Sequence, residues 1–182
     1  MGSYKTEAII LSQTNFGEAD KILTVFSKFS GKIRILAKGA RKINSRKGGN
    51  LELFNQVFLV LAEGKNLDII TEVELIHSFK DWRKNLIRVG VAYYLVELVL
   101  RLTAEGQRND RVFFLLKAHF TKLYRSDLVK LIRNFEEELL TELGFGIPKE
   151  LVNGEGSLSV YIEEIIERKL KSKEVLKRIK YG

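Results

Sequence analysis

The sequence predicts an α+β fold with the strands first and the helices after them. Up to residue 79, apolar residues come in short, often alternating runs separated by glycine-containing turns. From Phe79 onward they recur instead at helical spacing. A third observation concerns charge. Between Asp20 and Glu52 there is no acidic residue, while Lys21, Lys28, Lys32, Arg34, Lys38, Arg41, Lys42, Arg46 and Lys47 all fall within that interval.

Five strands are expected. Tyr4–Gln13 is β-branched in its middle, and TNFGEAD (14–20) turns the chain into Lys21–Phe29. Ser30-Gly31 is a short hairpin connection into the third strand. There Ile33, Ile35 and Ala37 share one face while Lys32, Arg34 and Lys38 share the other. Gly39 to Asn50, rich in Gly, Ser and Asn, has loop composition. Leu51–Ala62 and Leu67–Ser78 supply the last two strands. Five short strands in about eighty residues suit a small closed barrel of the OB type, although an SH3-like barrel or a split sandwich gives a similar string.

The helical half opens with Phe79–Thr103, where Trp82, Leu86, Val89, Tyr93, Val96 and Val99 form a stripe that Leu95, Leu98 and Leu102 widen most of the way round. A helix so apolar belongs at the centre of a helical domain. Asn109 or Asp110 caps a second helix, Arg111–Tyr124. Asp127 caps a third, Leu128–Leu143, which Gly144 ends before Pro148, the single proline. Ser157 starts a last helix through Lys171, with a short basic turn from Ser172. The expected division is therefore a β domain over residues 1–79 and a helical domain over residues 80–182.

Composition narrows the function classes. With 45% apolar and 30% charged residues, the 182-residue chain reads as globular rather than disordered. A net charge of +8 suits a phosphate-bearing partner, and by charge alone also a membrane surface. There is no cysteine, which removes disulfides, thiolate zinc sites and cysteine nucleophiles together. Glu7 interrupts the only candidate signal core, and Leu86–Leu102 is charged and too short to span a bilayer. The expectation is a soluble cytoplasmic protein without a membrane role.

Catalytic signals are thin. Neither G-x-x-x-x-G-K-[ST] nor G-x-G-x-x-G occurs. His77 and His119 lie far apart without a ligand pattern, and Glu136, Glu137 and Glu138 point around a helix rather than towards one atom. Glu18 and Asp20 form a turn carboxylate pair able in principle to hold Mg²⁺, but such carboxylates more often bond their own backbone. No enzyme, cofactor or metal is expected. The basic strand leading into a basic loop is instead a polyanion-binding design, and Phe16, Phe26 and Phe29 lie near it as aromatics able to stack on bases, with a core position the better expectation for Phe26.

Several ordered motifs then resemble the RecO family of recombination mediators. They are Glu7-Ala8-Ile9-Ile10-Leu11, Gly17-Glu18-Ala19-Asp20-Lys21-Ile22-Leu23-Thr24, Gly31-Lys32, and Ala37-Lys38-Gly39-Ala40-Arg41 with Ser45. Leu51 with Phe54, Ala92-Tyr93-Tyr94-Leu95-Val96-Glu97-Leu98, Phe135-Glu136 with Leu139-Leu140, and Glu142-Leu143-Gly144-Phe145 extend the series over residues 4–148. The resemblance implies an N-terminal OB fold followed by a helical domain. It implies binding of single- and double-stranded DNA, annealing of complementary strands, and loading of RecA, with RecR and often RecF, onto DNA coated by single-stranded-DNA-binding protein.

Carried onto this chain, the DNA-binding residues are Lys32, Arg34, Lys38, Arg41, Lys42, Arg46 and Lys47. The tail of the single-stranded-DNA-binding protein docks on the helical domain of some members, for which Lys84, Arg88, Lys117 and Lys122 are the positively charged candidates. Many members also carry a four-cysteine zinc module after the Glu-Leu-Gly-Phe-like motif. Here that region reads IPKELVNGEGSLSVYIEEIIERKL, and the chain is shorter than usual, so an uncapped or differently capped helical domain is expected. The alternative to a DNA-handling role is a protein-interaction adaptor whose basic face takes an acidic partner segment.

Overall fold

A long, bent first strand is what lets the sheet close. In the computed structural model, which describes residues 2–43, 45, 47–174 and 177, β1 runs over Ser3–Phe16. Its residues 8–16 pair antiparallel with β2 (Asp20–Ser27), and its residues 3–9 pair antiparallel with β4 (Gln56–Ala62). The register slips between Ile10 and Ser12, an irregularity of the kind that bends a strand from one neighbour towards the next. β3 (Gly31–Ala37) follows β2 as a hairpin, and β5 (Asp68–His77) pairs antiparallel with β4. A short parallel contact, Ile35 opposite Asp68 and Leu36 opposite Ile69, joins β3 to β5 and closes the order β1-β2-β3-β5-β4. That closure is the OB-type barrel, and it selects this fold among the three strings the sequence allowed.

The barrel interior is filled by Ala8, Ile10, Leu23, Val25, Ile35, Ala37, Val57, Leu59, Leu61 and Ile70, with Ala40 and Leu51 added from the long β3–β4 connection. Tyr4 and Asp68 tie β1 to β5, the phenol donating to Oδ2 at 2.6 Å. Burial, then the hydrogen bond and charge of Asp68, push the Tyr4 phenol well above its ordinary range.

Residues 51–55, expected as the start of a strand, are not one. Gly48–Leu51 forms a turn of 3-10 helix, and Phe54 takes a positive φ of 70°. The cause is packing. Leu51 and Phe54 are both buried, and Phe54 N–H and Ile10 N–H bond across to Ile10 O and Asn55 O at 2.9 and 3.0 Å. Asn55 Nδ2 donates to Asn50 O at 3.0 Å, holding the turn.

Two compact units emerge: Met1–Phe79 with Ala104–Phe113, and Lys80–Thr103 with Phe114–Gly182. The segment after the first helix thus groups with the barrel. Gly106 N–H donates to Lys32 O at 2.8 Å, and Glu105 makes a parallel bridge to Lys32. Gly31 has φ +62°, and a Cβ there would lie 1.9 Å from Gln107 O, so only glycine permits so close an approach.

In the helical unit α1 runs over Leu86–Leu102, starting later than expected because residues 80–84 form turns and Asn85 Oδ1 accepts from Arg88 N–H as the cap. Val91, Ala92, Tyr94, Leu95, Val96, Leu98 and Val99 are all buried. α2 (Asp110–Lys122) begins in the barrel unit, where Asn109 Oδ1 accepts Val112 N–H at 3.1 Å and is thereby its cap. Trp82, buried, donates its indole N–H to Phe120 O at 2.9 Å, with the two rings edge to face.

α3 (Leu128–Glu142) is capped by Asp127, whose Oδ1 accepts Val129 and Lys130 N–H, and is ended by Gly144 at φ +79°. After the single turn α4 (Lys149–Val152), α5 spans only Leu158–Ile165, shorter than the sequence suggests. Glu167 turns left-handed at φ 50°, and Arg168 N–H closes the end on Glu163 O. The chain then folds back, so that the Glu163 carboxylate accepts Leu170 N–H at 2.8 Å and Lys173 Nζ at 2.7 Å. A 3-10 turn, Lys171–Lys173, follows. Among the described residues no helix is long and apolar enough to cross a membrane.

Candidate nucleic-acid interface

The acid-free stretch begins inside the barrel and leaves it at Ala37. Alternation in β3 follows directly from its sequence: Ile35 and Ala37 are buried and Arg34 is exposed, with Lys32 and Ile33 half-buried. Beyond Ala37 the chain makes successive turns, and three cations, Lys38, Arg41 and Lys42, stand exposed around them.

These turns are fastened, not merely solvated. Gly39 N–H donates to Asp20 Oδ1 at 2.8 Å, and Arg41 N–H donates to Ala19 O at 2.9 Å. Lys42 N–H closes the turn on Gly39 O, and Ser45 N–H closes the next on Lys42 O. The Arg41 guanidinium reaches Gly17 O at 3.2 Å. The basic segment is therefore laid beside the β1–β2 turn, Gly17–Ala19, one of the loops with which OB barrels hold oligonucleotides. A fixed backbone with outward cations can meet an anion without first ordering the main chain, which leaves only the side chains to be ordered.

The other expected cations separate from this group. Lys47 turns inward, its ammonium donating to Ile70 O at 2.9 Å, and so buttresses β5. Lys32 sits at the far end of β3 beside Glu105. Arg46 lies outside the described residues. Phe26 is fully buried, while Phe16 and Phe29 are each about half exposed. Asp20, one of the two turn carboxylates, is the Gly39 anchor, and among the described residues no group of three His, Cys, Asp or Glu is placed to hold a metal.

On the helical unit the four positive candidates take different roles. Lys84 and Lys122 are exposed and Lys117 is half-buried. Arg88 directs its guanidinium at Leu123 O and Ser126 O, satisfying carbonyls past the end of α2 where a cation also complements the helix dipole. Lys117 and Lys122 are five residues apart, roughly 140° around the helix, so they do not share a face.

Two groups with shifted titration lie in the packed interior of the helical unit. Tyr94 donates to the buried Glu136 carboxylate, and burial, then that carboxylate, hold its phenol far above the ordinary range. Burial pushes His119 below the usual imidazole value, and its Nδ1 sits 3.0 Å from Leu115 O. Neither belongs to the basic surface.

Comparison with known proteins decides the family. The model of the recombination protein O N-terminal domain matches residues 1–79, and that of its C-terminal domain matches residues 83–150. This chain belongs to the RecO family. The DNA repair protein RecO of Roseiflexus sp. (strain RS-1) is 41% identical over 143 residues, which are 78% of this chain and 50% of that relative. That of Pelotomaculum thermopropionicum is 39% identical over 145 residues, 80% of this chain and 57% of the relative. That of Desulforamulus reducens is 40% identical over 156 residues, 84% and 59%. The chain thus spans between half and three-fifths of the length of these RecO relatives.

A four-cysteine zinc module of the kind found in many RecO proteins does not fit the residues present here. The chain has no cysteine, and the region after Phe145 holds instead α4, α5 and the Glu163 hydrogen-bond cluster.

Proposed function

We propose that this chain is a DNA-binding recombination mediator of DNA repair that acts in the cytoplasm. It binds single- and double-stranded DNA, anneals complementary strands, and works with RecR, single-stranded-DNA-binding protein and RecA, with RecF as a further partner. The observation that carries the reading is the fastened turn that presents Lys38, Arg41 and Lys42 beside the β1–β2 loop of an OB barrel, in a chain whose relatives are DNA repair proteins RecO.

The chemistry is charge neutralisation. Each phosphate engaged by Lys or Arg releases condensed counterions, so affinity comes with little sequence preference. Arg34 and Arg41 add planar guanidinium groups able to stack on unpaired bases, whereas Lys acts as a point charge. Annealing follows when one cationic surface holds two strands close, screens their repulsion and leaves partner choice to base pairing. No covalent step is required, and the proposal assigns no catalytic residue. Docking of the acidic tail of single-stranded-DNA-binding protein is assigned to the helical unit around Lys84 and Lys122, with Arg88 and Lys117 as supporting charges.

The test is fluorescence anisotropy of a labelled single-stranded oligonucleotide across a salt series. With about five to seven phosphates contacted, log K falls against log salt with a slope of about −4 to −5. Arg34→Ala/Lys38→Ala/Lys42→Ala makes that slope shallower by about 2. A flat wild-type slope, or a triple variant with an unchanged one, overturns the assignment and leaves the basic face to an acidic protein segment.

A further inference from the structure

At the tip of the β2–β3 hairpin, Phe29 exposes 52% of its surface. Hairpin tips are ordinarily polar, and the half of this ring that stays exposed gains nothing from burial. Two cations flank it: Lys28 Nζ lies 5.4 Å from the ring centroid, and Arg108 Cζ lies 5.6 Å from it. Both distances lie within cation–π range, and the ring still exposes about half of its surface, so the cations cover it only in part.

Arg108 is not a chance neighbour. It comes from the segment 104–113, which Gly106 N–H pins to Lys32 O at 2.8 Å and which presses Gln107 O against Gly31. The hairpin tip and this segment are thereby built as one surface. The tip lies at the opposite end of β3 from the basic turn, about 20 Å away for seven strand residues.

We infer that Phe29, bordered by Lys28 and Arg108, is a stacking site for an unpaired base of single-stranded nucleic acid. The inference rests on the nucleic-acid reading above and adds to it a second contact point and a reason for strand preference. The exposed ring offers a π-face to any base, and the two cations take the flanking phosphates. A duplex keeps its bases stacked on one another and offers no free face along its length. The basic turn therefore serves both forms of DNA, and the hairpin tip serves only the single strand.

The unmodified 182-residue chain, Phe29→Ala, Phe29→Tyr, Phe29→Trp and Arg108→Ala, each matched by circular dichroism, are titrated against a fluorescein-labelled oligothymidylate and a blunt duplex of equal length. Phe29→Ala is expected to weaken oligothymidylate binding roughly 5- to 150-fold, the range for losing one stacked base, with duplex affinity within about twofold of wild type. Phe29→Tyr retains binding. Arg108→Ala weakens the single strand more than the duplex. In Phe29→Trp, an exposed indole joins the buried Trp82, and oligothymidylate quenches its emission.

Unchanged oligothymidylate binding by Phe29→Ala, equal losses on both DNA forms, or unquenched emission from Phe29→Trp overturns the site while leaving the basic-turn reading in place. A wild type that binds neither DNA form overturns both.

Discussion

The Asp20 carboxylate accepts the backbone N–H of Gly39 at 2.8 Å, so an acid at the start of β2 anchors the basic segment that leaves β3. The residue whose negative charge borders the acid-free stretch is also the one that fixes its geometry. Asp20→Ala is expected to lower stability by about 1 kcal/mol and to speed amide exchange at Gly39 and Arg41. Asp20→Asn, which keeps an acceptor oxygen, restores most of the protection. Unchanged exchange in Asp20→Ala would show that the turn holds itself.

Lys42 and Lys47 differ in where their charge is placed. Lys42 is exposed, whereas the Lys47 ammonium is spent on Ile70 O. Lys42→Ala reduces the single-strand salt slope by about 0.7 without moving the melting temperature. Lys47→Ala leaves the slope alone and costs about 1 to 2 kcal/mol of stability. The reverse pattern, read from anisotropy and thermal melts, would exchange their roles.

Gly31→Ala and Gly106→Ala form a matched pair. Both glycines have positive φ, 62° and 73°, but a Cβ at Gly31 strikes Gln107 O at 1.9 Å while one at Gly106 meets nothing within 4 Å. Gly106→Ala therefore costs about 1 kcal/mol of backbone strain, and Gly31→Ala costs at least about 2 kcal/mol because the 104–113 segment must also shift. Equal losses in denaturant titrations would mean that the close approach contributes nothing.

Tyr94 and Glu136 are coupled in the helical interior. Tyr94→Phe removes a donor from a buried carboxylate and costs about 1 to 3 kcal/mol, and Tyr94→Phe/Glu136→Leu costs less than the two single changes added together. The raised phenols of Tyr94 and Tyr4 add an alkaline limb. Folded protein keeps their protons while unfolded chains lose them near pH 10.0, so stability falls as pH rises past that value. Tyr94→Phe flattens this limb in melts taken from pH 9 to 11.

Glu97 and Glu163 set the acid limb. Burial pushes Glu97 upward, but the hydroxyl and N–H of Ser172, the N–H of Lys171 and the charge of Arg101 outweigh it and hold the carboxyl low. Glu163 is lowered first by its bond to Lys173, against a smaller opposing effect of burial, with Leu170 N–H and Lys169 adding to the lowering. Both contribute stability that is present above the ordinary 4.5 and lost as pH falls through their depressed values. Glu97→Gln and Glu163→Gln should each shallow the decline of melting temperature below pH 4.5. A decline as steep as wild type's in both would place the acid sensitivity elsewhere.

What was legible in the sequence was what is local. The alternation Ile33–Arg34–Ile35 announced β3, and Asp127 and Gly144 marked the ends of α3 through their own cap chemistry. The exposed cations Lys38, Arg41 and Lys42 followed from the acid-free run. Legibility failed where a partner far along the chain decides conformation. Leu51 and Phe54 look like strand residues because they are apolar, yet they plug the barrel from a turn. Lys47 looks like Lys42 until Ile70 is placed beside it, and nothing local to Arg88 announces that its guanidinium meets Leu123 O and Ser126 O. Arg108 gave no signal at all, since its link to Phe29 spans 79 positions that no periodicity registers.

The clasp of residues 104–113 on the β2–β3 hairpin also bears on how the protein is made. Translation delivers all five strands before it delivers the clasp. A nascent chain halted after His77 holds all five strand segments but lacks Gly106 for the Lys32 carbonyl and Arg108 for the Phe29 ring. The tip of that hairpin thus waits, bare, until some thirty further residues have left the ribosome.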